Sequence, residues 1–485
     1  MTAENARKFP TREDSAWSGA HVTVMGLGLF GGGVAAARFA AERGANVTVT
    51  DKRSENDLTE SINTLSGLNL RFVLGHHDED DFRNADIVIV SPAVPRESPL
   101  LQVARDSGAT LTTEIALFSE RCKGRIIAVS GSNGKTTTTS LIGAIMQSHD
   151  SRTRIGGNLG KSLLSEVAEI EPGVPVVLEV SSFQLEWLGD EQWAPEIGVL
   201  TNLSPNHLDR HGTYDNYVAA KRLLLAHQSR EQIGVLNAAD PLLARMAATL
   251  PGTIRWFCNT ATRTPGAYVA DGTIVFTRGT GTVSVMNVDE IPLLGAHNQE
   301  NVLAAVAATS AWEYGGEVVE PDTMAKAIRS FRAVEHRLEF VAEISGVRYY
   351  NDSIATTPES AICALRSFEP GKTILIAGGY DKKVSFDSFG AEIANRAAAL
   401  IVLGVTAPQI AKAAQNAGMD PKCIYHVADV AAAVDTARSL AREGDIIALS
   451  PACASYDQYR NFSDRGLHFK SLVRTLQTSR HEHYE

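Results

Sequence analysis

The stretch Ile126-Ile-Ala-Val-Ser-Gly-Ser-Asn-Gly-Lys-Thr-Thr137 constrains this chain more than any other. An apolar run, Ile126 to Val129, reads as a buried strand. Ser130 to Gly134 is a loop of small residues. From Thr136 onward Leu141, Ile142, Ile145 and Met146 recur at helical spacing. A strand, a glycine loop, Lys-Thr and a helix together describe a phosphate-binding loop. Glycines let backbone N–H groups approach phosphate oxygens, and the helix N-terminus adds positive potential. Lys135 can neutralise β- and γ-phosphates, and the Thr136 hydroxyl can ligate Mg²⁺. The spacing departs from G-x-x-x-x-G-K-[ST]: the first glycine is Gly131, giving the shorter G-x-x-G-K-T. The bland alternative is a strand-to-helix turn with an exposed lysine.

A second glycine loop lies upstream. His21 to Met25 reads as a strand, followed by G-x-G-x-x-G at Gly26, Gly28 and Gly31, a helix, and a strand ending on Asp51. An acid about 20 residues beyond the last glycine completes a dinucleotide fingerprint, so hydride transfer with NAD is one hypothesis. The strand Ile87–Val90 ends in Ser91-Pro-Ala-Val-Pro95, a composition suited to a ligand-facing loop at the carboxyl edge of a sheet.

Further along, Glu179 interrupts the apolar strand Pro175–Val180, and a buried acid is costly unless paired or metal-bound. His207, Asp209 and His211 cluster in one loop. Zinc is an alternative use for them, but the set lacks cysteine partners, so a single Mg²⁺ ligand is preferred. Lys221, taken alone, reads as a surface lysine. Asn298 and Asn301 open a helix, as caps or as purine contacts. Alternating strands and helices give an α/β fold. The expected division is a flexible tail at 1–18, a Rossmann-like domain at 19–120, a phosphate-loop domain at 121–330 and a further Rossmann-like α/β domain at 331–485.

With 485 residues, 44% apolar, the chain can bury several cores. A net charge of −11 argues against a nucleic-acid partner and leaves no polybasic membrane patch. No apolar run is long enough to span a bilayer, and the polar N-terminus lacks a signal-peptide core. Five scattered cysteines without metal spacing read as reduced thiols of a cytoplasmic protein.

Taken in order, GLGLFG, SGSNGKTT, GGNLG, LEVSSFQLE, NLSPNHLDRHG, YVAAK, GAHNQEN, EHRLE, NDSIATT, GGYDK and SPACASYDQYRNF resemble the Mur ligases over residues 20 to 475, and within them the MurD type. The resemblance reassigns the first glycine loop. It implies a UDP-sugar site with Gly28, Leu29, Phe30, Asp51, Arg53, Ser91 and Pro92, reached also by Asn158, Ser182 and His207. It implies an ATP site at Ser130, Gly131, Ser132, Asn133, Gly134, Lys135, Thr136 and Thr137, with Asn298 and Asn301 toward adenine, Arg337 toward phosphate and Asp352 on the ribose. It further implies two Mg²⁺ sites, one on Thr136 and Glu179 and one on His207 with a CO₂-derived carbamate on Lys221. Lys135, Glu179, His207, Lys221 and Asn158 would be the catalytic set, and Thr356, Lys382, Ser455 and Phe462 the glutamate pocket.

The implied activity is ATP-dependent addition of D-glutamate to UDP-N-acetylmuramoyl-L-alanine in peptidoglycan precursor synthesis, through an acyl phosphate, by a monomer. One departure stands out. Ile354 occupies a position where many MurD-type enzymes carry lysine, which leaves L-glutamate as an alternative. A folyl-polyglutamate synthase, an NAD oxidoreductase and an inactive scaffold are the other rivals. Intact Lys135, Glu179, His207 and Lys221 argue against the scaffold.

Overall fold

The computed structural model describes residues 14–29, 31–260 and 265–481, with side chains described as far as residue 477. Phe30, read above as a UDP-sugar contact, lies outside the described residues, as do residues 1–13.

The first sheet is five-stranded and parallel. Its strands are β1 (His21–Met25), β2 (Asn46–Asp51), β3 (Leu70–Leu74), β4 (Ile87–Val90) and β5 (Thr110–Thr112), in the order β3-β2-β1-β4-β5. The order reverses at β1 and β4, so the loops after these strands, Gly26–Gly31 and Ser91–Pro95, flank the crevice where such sheets take ligands.

The second sheet carries β6 (Arg125–Ser130), β7 (Arg154–Gly157), β8 (Pro175–Glu179), β9 (Ile197–Leu200), β10 (Ile233–Asn237) and β11 (Thr253–Cys258). It continues through β12 (Gly266–Ala270), β13 (Thr273–Arg278) and β14 (Gly281–Asn287). The order is β14-β13-β12-β11-β10-β9-β6-β8-β7. The expected alternation of strand and helix fails after β11: β12 still pairs with it in parallel, and β13 and β14 then extend the sheet antiparallel. Asp271-Gly272 and the Gly279–Gly281 stretch carry the turns, which is standard hairpin chemistry. Hairpin connections need no crossover helix, so the parallel pattern stops there.

A short pair, β15 (Glu313–Tyr314) and β16 (Glu317–Val318), precedes the third sheet. That sheet holds β17 (Glu339–Ile344), β18 (Val347–Asn351), β19 (Thr373–Gly378), β20 (Ala397–Leu403), β21 (Ile424–His426) and β22 (Ile446–Leu449), in the order β17-β18-β22-β19-β20-β21. It is parallel apart from the β17–β18 edge hairpin.

The three sheets fall into two compact units. One runs to Asp289 and includes Asn301–Ile328; the other comprises Glu290–Glu300 and the residues from Arg329 onward. Within the first unit one apolar core runs under both sheets, from Val24, Phe39 and Val49 to Leu164, Val176 and Leu178. The expectation of a flexible tail to residue 18 fails at its end. Trp17 is fully buried, edge-on to Phe39 at 5.2 Å, because a large aromatic gains more from the core than a short turn loses in entropy. In the second unit the parallel strands are apolar on both faces, as a sheet covered by helices on both sides requires.

Candidate active site

The phosphate-loop reading is met by local geometry. β6 ends at Ser130, and the helix Lys135–His149 begins directly at the lysine. The turn between them needs two left-handed glycines. Gly131 has φ +143 and Gly134 has φ +78. A Cβ at the first would drive into Thr201 Oγ1, and one at the second into Asn301 Oδ1. The loop is held from outside: Asn133 N donates to Asn202 Oδ1 at 2.9 Å, and Thr201 Oγ1 donates to Asn133 O at 2.6 Å. Ser132 Oγ meets the Tyr217 hydroxyl at 2.9 Å and accepts from Ser204 N at 2.9 Å. Lys135 Nζ folds over the loop, donating to Gly131 O at 3.0 Å and Ser132 O at 2.8 Å. Thr137 is buried, and its hydroxyl has no hydrogen-bond partner.

Glu179 closes the end of β8, the strand next to β6. It is buried but fully engaged: Thr136 Oγ1 donates to Oε2 at 2.7 Å and Asn158 Nδ2 to Oε1 at 2.8 Å. The loop after β9 supplies His207. It starts a one-turn helix in the left-handed region, φ +52, which a non-glycine residue adopts only when its surroundings hold it there. The residue is exposed on its outer side. On the protein side, desolvation first and then the Lys135 charge push its imidazole down to about 4. His207 is therefore neutral at physiological pH and able to act as a ligand.

Lys221 contradicts its reading as a surface lysine. It is 2% exposed, and Nζ donates to Ser130 Oγ at 3.0 Å, while Ser130 in turn donates to Val180 O at 2.5 Å. Burial, reinforced by the Lys135 charge and opposed by Glu179, holds its ammonium well below the ordinary range. A signal for this was present in the sequence: Lys221 shares a helical face with Tyr217, Leu224 and Leu225, all buried.

Other anticipated residues sort into two further groups. In the first sheet, Asp51 accepts from Gly28 N at 3.1 Å and from Arg53 N at 2.9 Å, and so shapes the first glycine loop. Leu29 is exposed beside it, and Ser91 and Pro92 form the half-buried loop after β4. The Ser182 hydroxyl is engaged by His211 Nε2 at 3.0 Å.

In the second unit, Asp352 is buried, accepting from Ser450 Oγ at 2.7 Å and Leu338 N at 3.1 Å, and burial pushes it up to about 7. Arg337 carries an unpartnered buried Nε. Lys382 Nζ donates to Thr356 O at 3.2 Å, the Ser455 hydroxyl is buried without a hydrogen-bond partner, and Phe462 O accepts from Ser353 Oγ at 2.7 Å. Asn301 joins the phosphate loop through Thr138 Oγ1 at 3.2 Å, whereas Asn298, one turn earlier, donates to Leu294 O at 2.7 Å in the second unit.

The zinc alternative has no support. Among the described residues the three-ligand cluster is Glu335, His336 and Glu339, and it includes none of His207, Asp209 and His211. There Lys470 Nζ already supplies the cation, 2.8 Å from Glu335 and 2.5 Å from Glu339.

Three family models match the chain in order: the Mur ligase MurD-like N-terminal domain over residues 20–113, the Mur ligase middle domain over 129–309, and the Mur ligase glutamate ligase domain over 336–453. The chain belongs to the Mur ligase family. Among its relatives, the UDP-N-acetylmuramoylalanine–D-glutamate ligase of Roseiflexus sp. (strain RS-1) is 42% identical over 95% of this chain and 99% of its own length. The ligase of the same name from Symbiobacterium thermophilum is 40% identical over 93% and 97%. Of solved structures, the UDP-N-acetylmuramate-alanine ligase MurC of Thermotoga maritima aligns with a TM-score of 0.61 at 20% identity, covering 95% of this chain and all of that one. A pseudomurein peptide ligase type C from Methanothermus fervidus gives 0.58 at 17%, covering 94% and 100%.

As a Mur ligase, the chain assigns its first glycine loop to a MurD-like domain, which removes the dehydrogenase reading of that motif. Mur ligases use ATP and Mg²⁺, and the strand ends fit both. Thr136 Oγ1 and Glu179 Oε2 lie 2.7 Å apart, close to the separation of adjacent oxygens around an octahedral Mg²⁺. The donor set is hard oxygen, as that ion prefers. Sequence reasoning missed the supports: Thr201, Asn202 and Ser204 bracing the phosphate loop, and Arg465. Fully buried, Arg465 donates to Ser353 O at 2.9 Å, Ser353 Oγ at 3.0 Å and Cys453 O at 3.0 Å. Its position on the face of Phe469 and Val473 was the available signal.

Proposed function

We propose that this protein is the ATP-dependent ligase that joins the alanyl carboxylate of UDP-N-acetylmuramoyl-L-alanine to the amine of D-glutamate. The observation that carries the chemistry is the junction at the ends of β6 and β8, where the Lys135 loop meets the Thr136–Glu179–Asn158 chain of hydrogen bonds. The names of relatives about 40% identical over nearly full length, UDP-N-acetylmuramoylalanine–D-glutamate ligases, support the choice of substrates.

The reaction brings anions together, so the protein's task is positioning and neutralising charge. Lys135, freed from its loop carbonyls, would face the β- and γ-phosphate oxygens. Thr136 and Glu179 would hold one Mg²⁺, which supplies neutralisation of phosphoryl charge when bound. Asn158, by fixing one Glu179 oxygen, leaves the other aimed at the phosphate loop. Attack of the alanyl carboxylate oxygen on the γ-phosphorus, with release of ADP, gives an acyl phosphate. The neutral amine of glutamate then adds to its carbonyl, loses a proton, and inorganic phosphate leaves.

His207 and Lys221 would serve a second Mg²⁺. Carbamylation needs a neutral amine, and a lysine held well below its ordinary range provides one. The amine adds CO₂ and releases a proton, which turns a buried neutral amine into an anionic oxygen ligand. In the second unit, Thr356, Lys382, Ser455 and Phe462 would bind glutamate, and Asn298, Arg337 and Asp352 the nucleotide. Gly28, Leu29, Asp51, Arg53 and the Ser91–Pro92 loop would bind the UDP-sugar. The reading includes a monomeric cytoplasmic enzyme, checked by light scattering and by fractionation.

The test is phosphate release. It should require the UDP-muramoyl-alanine acceptor, ATP and glutamate together. Turnover that ignores the acceptor, or that uses a folate acceptor, would overturn the proposal.

A further inference from the structure

Two arginines tie the loop after β4 to the elements that carry the magnesium-side residues, and they do so at opposite ends. Arg210 stands on the one-turn helix that His207 begins. Its Nη1 donates to Ala93 O at 2.6 Å, in the middle of the Ser91–Pro95 loop. Its guanidinium lies 4.7 Å from the centre of the Phe183 ring. That ring is edge-on to His207 at 5.1 Å and stacked on His211 at 5.1 Å. Arg210 also belongs to the backbone that fixes His207, since Arg210 N donates to His207 O at 3.0 Å and so closes the turn in which His207 is left-handed. One side chain thus touches the first-substrate loop and the aromatic platform of His207, and its own backbone sets the conformation of His207.

Arg96 makes the second tie elsewhere. Its Nη1 donates to Glu186 O at 2.9 Å, it pairs with Asp190, and its guanidinium lies 4.9 Å from the Trp187 ring. These contacts grip the far end of the helix Ser182–Asp190, and none of them is made to a residue of the His207 turn itself, which Arg96 reaches only through Glu186, paired with His211 at 3.3 Å.

We propose that Arg210 is a positioning residue that couples occupancy of the UDP-sugar loop to the orientation of His207, so that the acceptor and the nucleotide bind with positive cooperativity. The inference rests on the reading of function above. A ligand that orders the Ser91–Pro95 loop fixes the Ala93 carbonyl, and with it the guanidinium that presses on Phe183 and His207. An ordered His207 then lowers the cost of assembling the nucleotide side. By linkage, nucleotide must tighten acceptor binding by the same factor. Arg210 suits this task because a planar guanidinium can donate at its edge and stack on its face together, which an ammonium cannot do.

The experiment measures the Kd of a non-hydrolysable ATP analogue with Mg²⁺, with and without saturating UDP-N-acetylmuramoyl-L-alanine, for wild type, Arg210→Met, Arg210→Lys and Arg96→Met. Thermal melting establishes that each variant is folded. Couplings of this kind are typically about 5- to 150-fold. Wild type should show tightening in that range. Arg210→Met should bring it toward one while binding each ligand alone within a few fold, and Arg210→Lys should fall between. Arg96→Met should keep the wild-type factor. Should Arg210→Met unfold, Arg210→Lys alone decides, since it keeps the charge and loses the stacked donor.

Full coupling in an arginine-210 variant overturns the inference. So does equal loss in Arg96→Met, which would assign the effect to docking of the two sheets in general. A wild type that binds both ligands without cooperativity also overturns it. Failure of wild type to bind the UDP-sugar at all would instead remove the functional reading beneath it.

Discussion

Replacing Lys221 by methionine should make the protein more stable and inactive. The side chain is 2% exposed, and burial with the neighbouring Lys135 charge depresses its pKa well below the ordinary value. The sign follows from linkage. Between the depressed folded value and the unfolded value near 10.4, the unfolded chain binds a proton that the folded chain does not. The fold is therefore penalised at neutral pH, and the penalty fades as pH rises toward the unfolded value. Each unit of depression corresponds to about 1.4 kcal/mol. In a protein this size one such unit is worth about 1–2 °C in Tm.

Methionine is close in volume and needs no partner. Ser130, which accepts from Lys221, keeps its own bond to Val180 O at 2.5 Å. The assay is thermal melting in bicarbonate-free buffer at pH 7 and pH 9.5, beside phosphate release. Lys221→Met should melt at least about 1–2 °C above wild type at pH 7, the gap should narrow at pH 9.5, and ligation should fall by at least about a hundredfold, in line with loss of a metal ligand's support. A variant that melts below wild type, or a gap indifferent to pH, would mean that the amine is charged and paired in the fold, and the argument for carbamylation would fail.

Other outcomes follow from the same geometry. Lys135→Ala should abolish phosphate release while circular dichroism and melting stay close to wild type, because the ammonium donates to carbonyls of its own loop, Gly131 O and Ser132 O, and holds no distant strand in place through them. Gly131→Ala, at φ +143 and against Thr201, should cost about 1–2 kcal/mol and at least tenfold in nucleotide affinity, read by urea unfolding and calorimetry. Arg465→Met leaves the Ser353 and Cys453 carbonyls buried and unpaired, so the second unit should lose about 3–5 kcal/mol in urea, with the glutamate KM rising more than the ATP KM. Asp352, raised to about 7, stabilises the fold while protonated, and that contribution is lost as pH climbs from about 4 through 7. Asp352→Asn should flatten that slope in a pH series of melts.

Much of the architecture could be read from local chemistry, because strand, glycine loop and helix follow one another within a dozen residues and each has its own pattern. The phosphate loop, Glu179 as an acid in an apolar strand, and Asp51 at the end of β2 were all visible that way. What escaped depended on distant partners. Lys221 looks solvated until β6 and β9 are packed against its helix. Trp17 looks like part of a tail until Phe39 is placed beneath it. Arg465 resembles any arginine on a long helix until the Ser353 and Cys453 carbonyls converge on it. The antiparallel run after β11 was carried by turn residues at Asp271-Gly272 and Gly279, weaker cues than the helical periodicity before them.

The most direct test of the account is the ligation product itself. Purified protein, ATP, Mg²⁺ and UDP-N-acetylmuramoyl-L-alanine are incubated with D-glutamate and, separately, with L-glutamate, and the acceptor is weighed by mass spectrometry as phosphate is counted. The account predicts one glutamyl addition per phosphate with the D enantiomer and only background with the L enantiomer. Addition of L-glutamate in its place, or no adduct with either, would contradict it.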